Sequence, residues 1–239
     1  VILWDDTFVR YHEPNIGIAA VKVLEALGFE VQLLQNRKCC GRPAFSQGNL
    51  DAAAELGQHN IDLLTSQQLN DSTAQPPIVF LEPSCWSMFV DDYRELKIEK
   101  VDKIVERCFL FEKFVDDLLE REPDALKFKD RNATVAIHAH CHAKSLTNPV
   151  FMQRLVERLP GRRATLLETG CCGMAGAFGA LAEKYELSKQ VAAADLLRKI
   201  DSQRADVVIA SGTSCRHQIV DLSDIWPKHM AELLADAIA

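Results

Sequence analysis

The chain must build the same unusual turn twice: Cys39-Cys40-Gly41-Arg42-Pro43 in its first half and Cys171-Cys172-Gly173, inside Gly170-Cys171-Cys172-Gly173-Met174-Ala175-Gly176, in its second. Adjacent cysteines set two soft donors side by side. The glycine that follows lets the backbone turn tightly, so that both thiols face one inorganic centre. A disulfide within such a pair would strain the peptide between them, which argues for a shared ligand rather than a mutual bond.

The scaffold that carries these turns is also repeated. Val1–Trp4 reads as a buried strand, 15–28 as a helix stopped by Gly28, and 30–34 as a strand that delivers Cys39-Cys40-Gly41. An amphipathic helix over 51–67 and a polar loop over 68–77 lead to a strand at 78–81, which ends in Glu82-Pro83-Ser84-Cys85. Residues 91–122 read as a charged helix and 123–132 as a linker. The order then returns: strand 134–137, helix 149–159, strand 163–167 before Cys171-Cys172-Gly173, helix 180–201, and strand 207–210 before Ser211-Gly212-Thr213-Ser214-Cys215. Thr7 falls on Cys141 at an offset of 134 (141 − 7), Cys39 on Cys171 at 132 (171 − 39) and Cys85 on Cys215 at 130 (215 − 85), so one near-constant shift superposes three landmarks.

We therefore expect an α/β chain of two pseudo-repeated halves, 1–122 and 134–239, joined by a linker over 123–133. Each half should be a mainly parallel sheet flanked by helices. The cysteines then lie beyond the carboxyl ends of strands, where such sheets bind ligands. Cys108, in the run before Phe109-Leu110-Phe111, is expected to be a core residue within the helix over 91–122.

Composition narrows the setting. A net charge of −7 without a Lys/Arg run argues against a nucleic-acid partner. No apolar stretch reaches the roughly 18 to 20 residues of a spanning helix. The start lacks a basic export signal, and eight cysteines in 239 residues are few for a secreted disulfide scaffold. The expected location is the cytoplasm, with contact to the inner membrane face made through partners. The sequence starts on an apolar run without Met, and we expect a piece of a longer polypeptide.

The motifs resemble the cysteine-rich CCG domain family, found in heterodisulfide reductases and in the iron–sulfur subunits that serve glycerol-3-phosphate, glycolate and lactate oxidation. More narrowly, Leu3-Trp4-Asp5-Asp6-Thr7-Phe8, Cys39-Cys40-Gly41-Arg42-Pro43, Leu81-Glu82-Pro83-Ser84-Cys85, His138-Ala139-His140-Cys141-His142-Ala143-Lys144, the second Cys-Cys-Gly stretch and Ser214-Cys215-Arg216 resemble the C-terminal region of large FAD-linked oxidases. That resemblance implies a domain receiving electrons from flavin and ferredoxin-like modules elsewhere in the full chain or in partner subunits. The reaction implied is oxidation of D-2-hydroxy acids such as D-lactate or D-2-hydroxyglutarate. Electrons would pass on to a quinone, a disulfide or another acceptor, and this domain alone would not turn over substrate.

In the heterodisulfide reductase branch each half has one cysteine, then Cys-Cys, then Cys-x-x-Cys. Here Thr7 replaces the leading cysteine of the first half, and Glu82 and Gly212 replace the first member of each Cys-x-x-Cys. The second half retains Cys141, Cys171, Cys172 and Cys215, a four-thiol set that suits a [4Fe–4S] cluster or, alternatively, a closed zinc site in a structural docking module without redox activity. The first half retains Cys39, Cys40 and Cys85, a weaker set in which Glu82 is a fourth ligand or merely a helix cap, and Thr7 a hydrogen-bond donor to sulfur.

Strand alternation sets His138 and His140 on one face and Cys141 on the other, making the histidines, with His142, hydrogen-bonding neighbours of the site rather than its ligands unless the strand has already turned. Arg42, Lys144, Arg216 and His217 flank the cysteines, either as charges acting on the thiols or as ordinary surface charge.

Overall fold

The computed structural model describes residues 1–66 and 75–239. Of the polar loop expected over 68–77 and the helix expected to reach residue 67, the portion at 67–74 lies outside the described residues. The chain divides into two compact units, Val1–Phe111 and Glu112–Ala239.

In the first unit, β1 (Ile2–Trp4), β2 (Gln32–Leu33), β3 (Ile78–Phe80) and β4 (Cys108–Leu110) form a parallel sheet in the order β2-β1-β3-β4. The inner strands β1 and β3 are buried at every position, as parallel strands covered on both faces must be, whereas the two-residue edge strand β2 is not. Helices α1 (Thr7–Tyr11), α2 (Pro14–Ala26), α3 (Arg42–Ser46), α4 (Leu50–Ser66), α5 (Pro83–Ser87) and α6 (Tyr93–Glu95) fill the connections. Local chemistry fixes their ends. The Asp6 side chain caps α1, Pro14 opens α2, and Gly28 stops it with a φ of 85°.

The second unit repeats the plan. Strands β5 (Ala133–His138), β6 (Arg162–Leu166) and β7 (Val207–Ala210) pair in parallel in the order β6-β5-β7. This is the β2-β1-β3 order again, and the registers agree: Ile2 faces Ile78 in the first sheet, and Ala136 faces Val208 in the second. Helices α7 (Phe111–Arg121), α8 (Cys141–Leu146), α9 (Val150–Glu157), α10 (Ala182–Ala192), α11 (Arg198–Gln203), α12 (Thr213–Leu222) and α13 (Met230–Ala237) surround it, α7 starting on the last residue of the first unit. Where the first sheet has β4, the second has a single parallel bridge from Ile209 to Lys228, closed by hydrogen bonds between Ala210 and Lys228 and between Lys228 and Val208.

Two expectations need correction. Residues 91–122 are not one helix. A π-turn over Met88–Asp92, the short α6 and two 3₁₀ turns lead into β4, and only then does α7 begin. The charged residues mask a three-residue strand, Cys108–Leu110, too short to show a period of two. Cys108 is buried as expected, but it opens a strand; its thiol donates to the Ile104 carbonyl at 3.3 Å, and burial pushes its pKa up to about 12. The stretch before β5 is also tied down, since Lys129 and Ala239 exchange backbone hydrogen bonds with Ala237 and Lys127.

The core of the first unit is aromatic. Trp4, Phe80 and Phe89 are fully buried, with ring centroids 4.7 to 5.7 Å apart. Truncating Phe80→Ala removes the ring that bridges β3 to the helical layer, and should cost about 3–5 kcal/mol. Chemical denaturation followed by emission from the buried Trp4 and Trp86 should show a lower midpoint; an unchanged midpoint would remove Phe80 from the centre of this core.

Candidate metal centres

Each Cys-Cys-Gly turn follows the second strand of its unit, and each is closed by a glycine with positive φ: 86° at Gly41 and 95° at Gly173. A side chain is excluded at Gly173 on two counts, because a Cβ there would lie 2.2 Å from the Ser188 carbonyl oxygen. The glycine N–H groups turn back on the first sulfur of each pair. Gly173 N donates to Cys171 Sγ at 3.3 Å, and Gly41 N bonds Cys39.

The third strand of each unit brings the remote cysteine. Cys85 sits in α5 after β3, and Cys215 in α12 after β7. The result is one hydrogen-bonded relay made twice, Cys39 to Cys40 to Cys85 and Cys171 to Cys172 to Cys215. Cys40 Sγ and Cys85 Sγ are 3.0 Å apart. Cys141, first residue of α8, is not hydrogen-bonded into the second relay but lies within electrostatic reach of Cys171. The structure thus brings the predicted second-half set, Cys141, Cys171, Cys172 and Cys215, together, and likewise Cys39, Cys40 and Cys85. Thr7 hydrogen-bonds the Cys39 sulfur.

Cys39, Cys40, Cys85, Cys141, Cys171 and Cys172 are held toward their protonated forms. The hydrogen bond to Cys40 and then burial raise Cys39; the hydrogen bond to Cys172 and then burial raise Cys171. For Cys172 the bond from Cys171 favours the thiolate, but the bond to Cys215 and burial outweigh it and push the pKa up to about 12. Buried thiols this close cannot all ionise without a compensating cation. Such a donor set suits an iron–sulfur or other metal centre. Among the described residues no three thiols have their sulfurs all within 4.8 Å of one another. Tetrahedral zinc, with Zn–S of about 2.3 Å, would hold its sulfurs roughly 4 Å apart.

In each unit the position that has lost the first member of Cys-x-x-Cys, Gly212 or Glu82, lies near the residue before the leading position, His140 or Asp6. In the second, β5 ends at His138 and the chain has turned before Cys141, so the strict alternation that would separate His140 from Cys141 does not apply. His140 is the N-cap of α8. Its Nδ1 accepts from His142 N at 3.2 Å and lies 3.9 Å from Cys141 Sγ. Its ring fills the space above Gly212, where a Cβ would fall 2.1 Å from His140 Cδ2. His140 thus occupies the volume that a side chain at position 212 would need. His142 packs edge-on against it, with ring centroids 5.1 Å apart.

His138 is buried, with Nδ1 2.6 Å from Thr169 Oγ1. Burial, helped by Lys144 and His140, lowers its pKa to about 3, so it stays neutral in the fold. Because that value lies below the ordinary 6.5, the neutral ring's contribution to stability is complete above 6.5 and declines as pH falls from there toward 3.

In the first unit the corresponding caps are Asp6 and Glu82. Glu82 is buried, and its Oε1 accepts from Ser84 N at 3.0 Å with Pro83 in the first turn, so the helix-cap reading describes it. Asp6 is the residue that sequence reasoning misses. Its Oδ1 accepts from Phe8 N at 2.8 Å and from Val9 N at 3.3 Å. The signal that marks it is an aspartate at a strand end, immediately before a helix.

The flanking cations are largely committed to structure. Arg42 bonds the Ser84 carbonyl, Ser87 Oγ and Asp92. Arg216 is buried and ties the carbonyls of Ala210 and Ser211 to Thr213. Lys144 holds the carbonyls of Thr169 and Gly170, while its charge favours the Cys141 thiolate. His217 is exposed.

Substituting Gly212→Ala drives a methyl into the His140 ring and should cost about 1–3 kcal/mol. The double variant Gly212→Ala/His140→Ala should recover part of that loss, giving a non-additive cycle in thermal melts. Additive effects would mean that the ring does not depend on the missing side chain.

Comparison with known proteins follows the same segments. The family model described as a cysteine-rich domain, CCG, matches residues 7–90 and 135–220. One of the subunits of anaerobic glycerol-3-phosphate dehydrogenase from Escherichia coli (strain K12) is 29% identical over 239 residues, which is 100% of this chain and 59% of that protein. Lactate utilization protein A from Bacillus thuringiensis (strain Al Hakam) is 27% identical over 255 residues, 98% of each chain. This chain therefore spans less than two thirds of the first relative. Because the two matched segments contain both cysteine sets and together cover more than half of the chain, the chain belongs to the CCG cysteine-rich domain family.

Proposed function

We propose that this chain is an iron–sulfur electron-transfer domain of an FAD-linked oxidoreductase acting on 2-hydroxy acids such as D-lactate or D-2-hydroxyglutarate. Cys141, Cys171, Cys172 and Cys215 hold a [4Fe–4S] cluster, and Cys39, Cys40 and Cys85 form a second, weaker centre. Flavin and ferredoxin-like modules supply the electrons, and a quinone or a disulfide accepts them, in a cytoplasmic setting that keeps thiols reduced.

The observation that carries this reading is the duplicated thiol relay, set in each unit between the turn after the second strand and the helix after the third. The relatives add support, one being named as a dehydrogenase subunit and the other for lactate utilization. When bound, a four-iron cluster supplies one-electron storage. The protein's part is to present the thiolates, to exclude water around the buried Cys172 and Cys215, and to direct the Gly173 N–H at Cys171 Sγ, a contact that stabilises negative charge on that sulfur. Substrate chemistry belongs to the flavin module, so the chain by itself turns over neither acid.

Because Cys141, Cys171 and Cys172 carry raised pKa values, loading releases protons and metal affinity rises with pH, which chelator competition across roughly pH 6.5 to 8.5 measures directly. Anaerobic reconstitution with iron and sulfide should give visible cluster absorption and, on reduction, an EPR signal. Both should be lost from the second centre in Cys171→Ser/Cys172→Ser. Stoichiometric zinc with no stable iron uptake would replace this reading with a structural docking module, and dye-linked turnover of D-lactate by the chain alone would contradict the division of labour.

A further inference from the structure

Asp6 is 2% exposed, and its Oδ2 has no hydrogen-bond partner, although its Oδ1 is fully used in capping α1. A buried carboxylate oxygen without a partner costs on the order of 1–3 kcal/mol or more, so its retention calls for a positive charge to meet it. The surroundings supply little. Arg37 attracts it, but the Arg37 guanidinium is bound to Asp5 through both its carboxylate and its carbonyl. Glu82 faces Asp6 with the same charge, and burial followed by that repulsion raises Asp6 to about 7.

The charges of Asp6 and Glu82 also reach Cys85, whose thiol is stabilised as thiolate by Cys40 but raised overall by burial and these carboxylates. The unpartnered Asp6 oxygen thus belongs to a residue within electrostatic reach of Cys85, at one end of the relay, and next in sequence to Thr7, which bonds Cys39 at the other.

The pseudo-repeat sets Asp6 beside the position that has lost its thiol. Asp6 and His140 are equivalent caps, each immediately before the position of the family's leading cysteine, and His140 Nδ1 lies 3.9 Å from Cys141 Sγ. In the first unit that leading position is Thr7, which cannot supply a thiolate. From these observations we infer that Asp6, through Oδ2, is the fourth ligand of the first-unit metal centre, completing a set of three thiolates and one carboxylate with Cys39, Cys40 and Cys85. Glu82 is the poorer candidate: its Oε1 accepts from Ser84 N, and neither of its oxygens is left buried without a partner as Asp6 Oδ2 is.

A carboxylate is harder and more readily displaced than a thiolate, so the metal position it holds is the exchangeable one. The inference rests on the reading of Cys39, Cys40 and Cys85 as a metal centre and adds the missing ligand to it.

The test uses the full chain in the Cys171→Ser/Cys172→Ser background, so that reconstituted iron reports the first unit. With Asp6 intact, the chain should take up iron and sulfide and give an EPR signal on reduction. Asp6→Asn is isosteric and keeps the cap on Phe8 and Val9, but lacks the ligand oxygen; it should weaken iron retention by about tenfold or more, while Glu82→Gln leaves it unchanged. Asp6→Cys should restore iron with an altered, all-thiolate EPR spectrum. Apo melts guard against misfolding: Asp6→Asn should melt no lower than its parent, because it removes an unpartnered charge, and if it does not fold the Asp6→Cys rescue decides. Equal iron retention in Asp6→Asn and its parent overturns the assignment alone, as does loss in Glu82→Gln instead. No iron even with Asp6 intact overturns the first-unit centre together with it.

Discussion

Two sulfur atoms on adjacent residues cannot be buried side by side unless something fixes the peptide between them and something else balances their charge. The glycine with positive φ does the first, turning its own N–H back toward the first sulfur of each pair. The second requirement shapes everything around the turn. The remote cysteine has to arrive on a helix leaving the third strand, and the leading position on a helix leaving the first. A parallel sheet with the first strand in the middle is the simplest way to bring three such loops to one edge, which explains why β2-β1-β3 and β6-β5-β7 share one order.

The two units have nevertheless diverged where their first and third loops meet. In the second, a ring has replaced a side chain: His140 fills the space that Gly212 leaves open, and the leading thiol is kept at Cys141. In the first, the leading thiol is absent and two buried carboxylates, Asp6 and Glu82, stand in the corresponding places. One unit therefore joins four thiols to an imidazole, and the other joins three thiols to acidic oxygen. Two centres with such different donors would differ in charge and lability, which suits successive positions in a chain of electron carriers better than duplicate ones.

Much of this is legible in the sequence because the repeat has to preserve its landmarks. The offsets between Thr7 and Cys141, Cys39 and Cys171, and Cys85 and Cys215 anticipate the equivalent helix starts and the equivalent relays. Cys108 betrays its burial but not its strand, since three residues beside a charged run carry no readable period. His140 is misplaced when strand alternation is extended two residues past the end of β5. Asp6 escapes notice for a different reason. Adjacent Asp5 and Asp6 look like an ordinary polar strand end, and only the fold shows that Asp5 turns to Arg10 and Arg37 while Asp6 is enclosed.

The central claim is that the sulfurs of each unit converge on one metal centre. An anaerobic crystal structure of the iron-loaded chain, with anomalous maps at the iron edge, addresses it most directly. The account predicts iron density within bonding distance of Cys141, Cys171, Cys172 and Cys215. Iron bound away from these thiols, a single zinc in their place, or a Cys172–Cys215 disulfide that persists after anaerobic reduction and loading would contradict it.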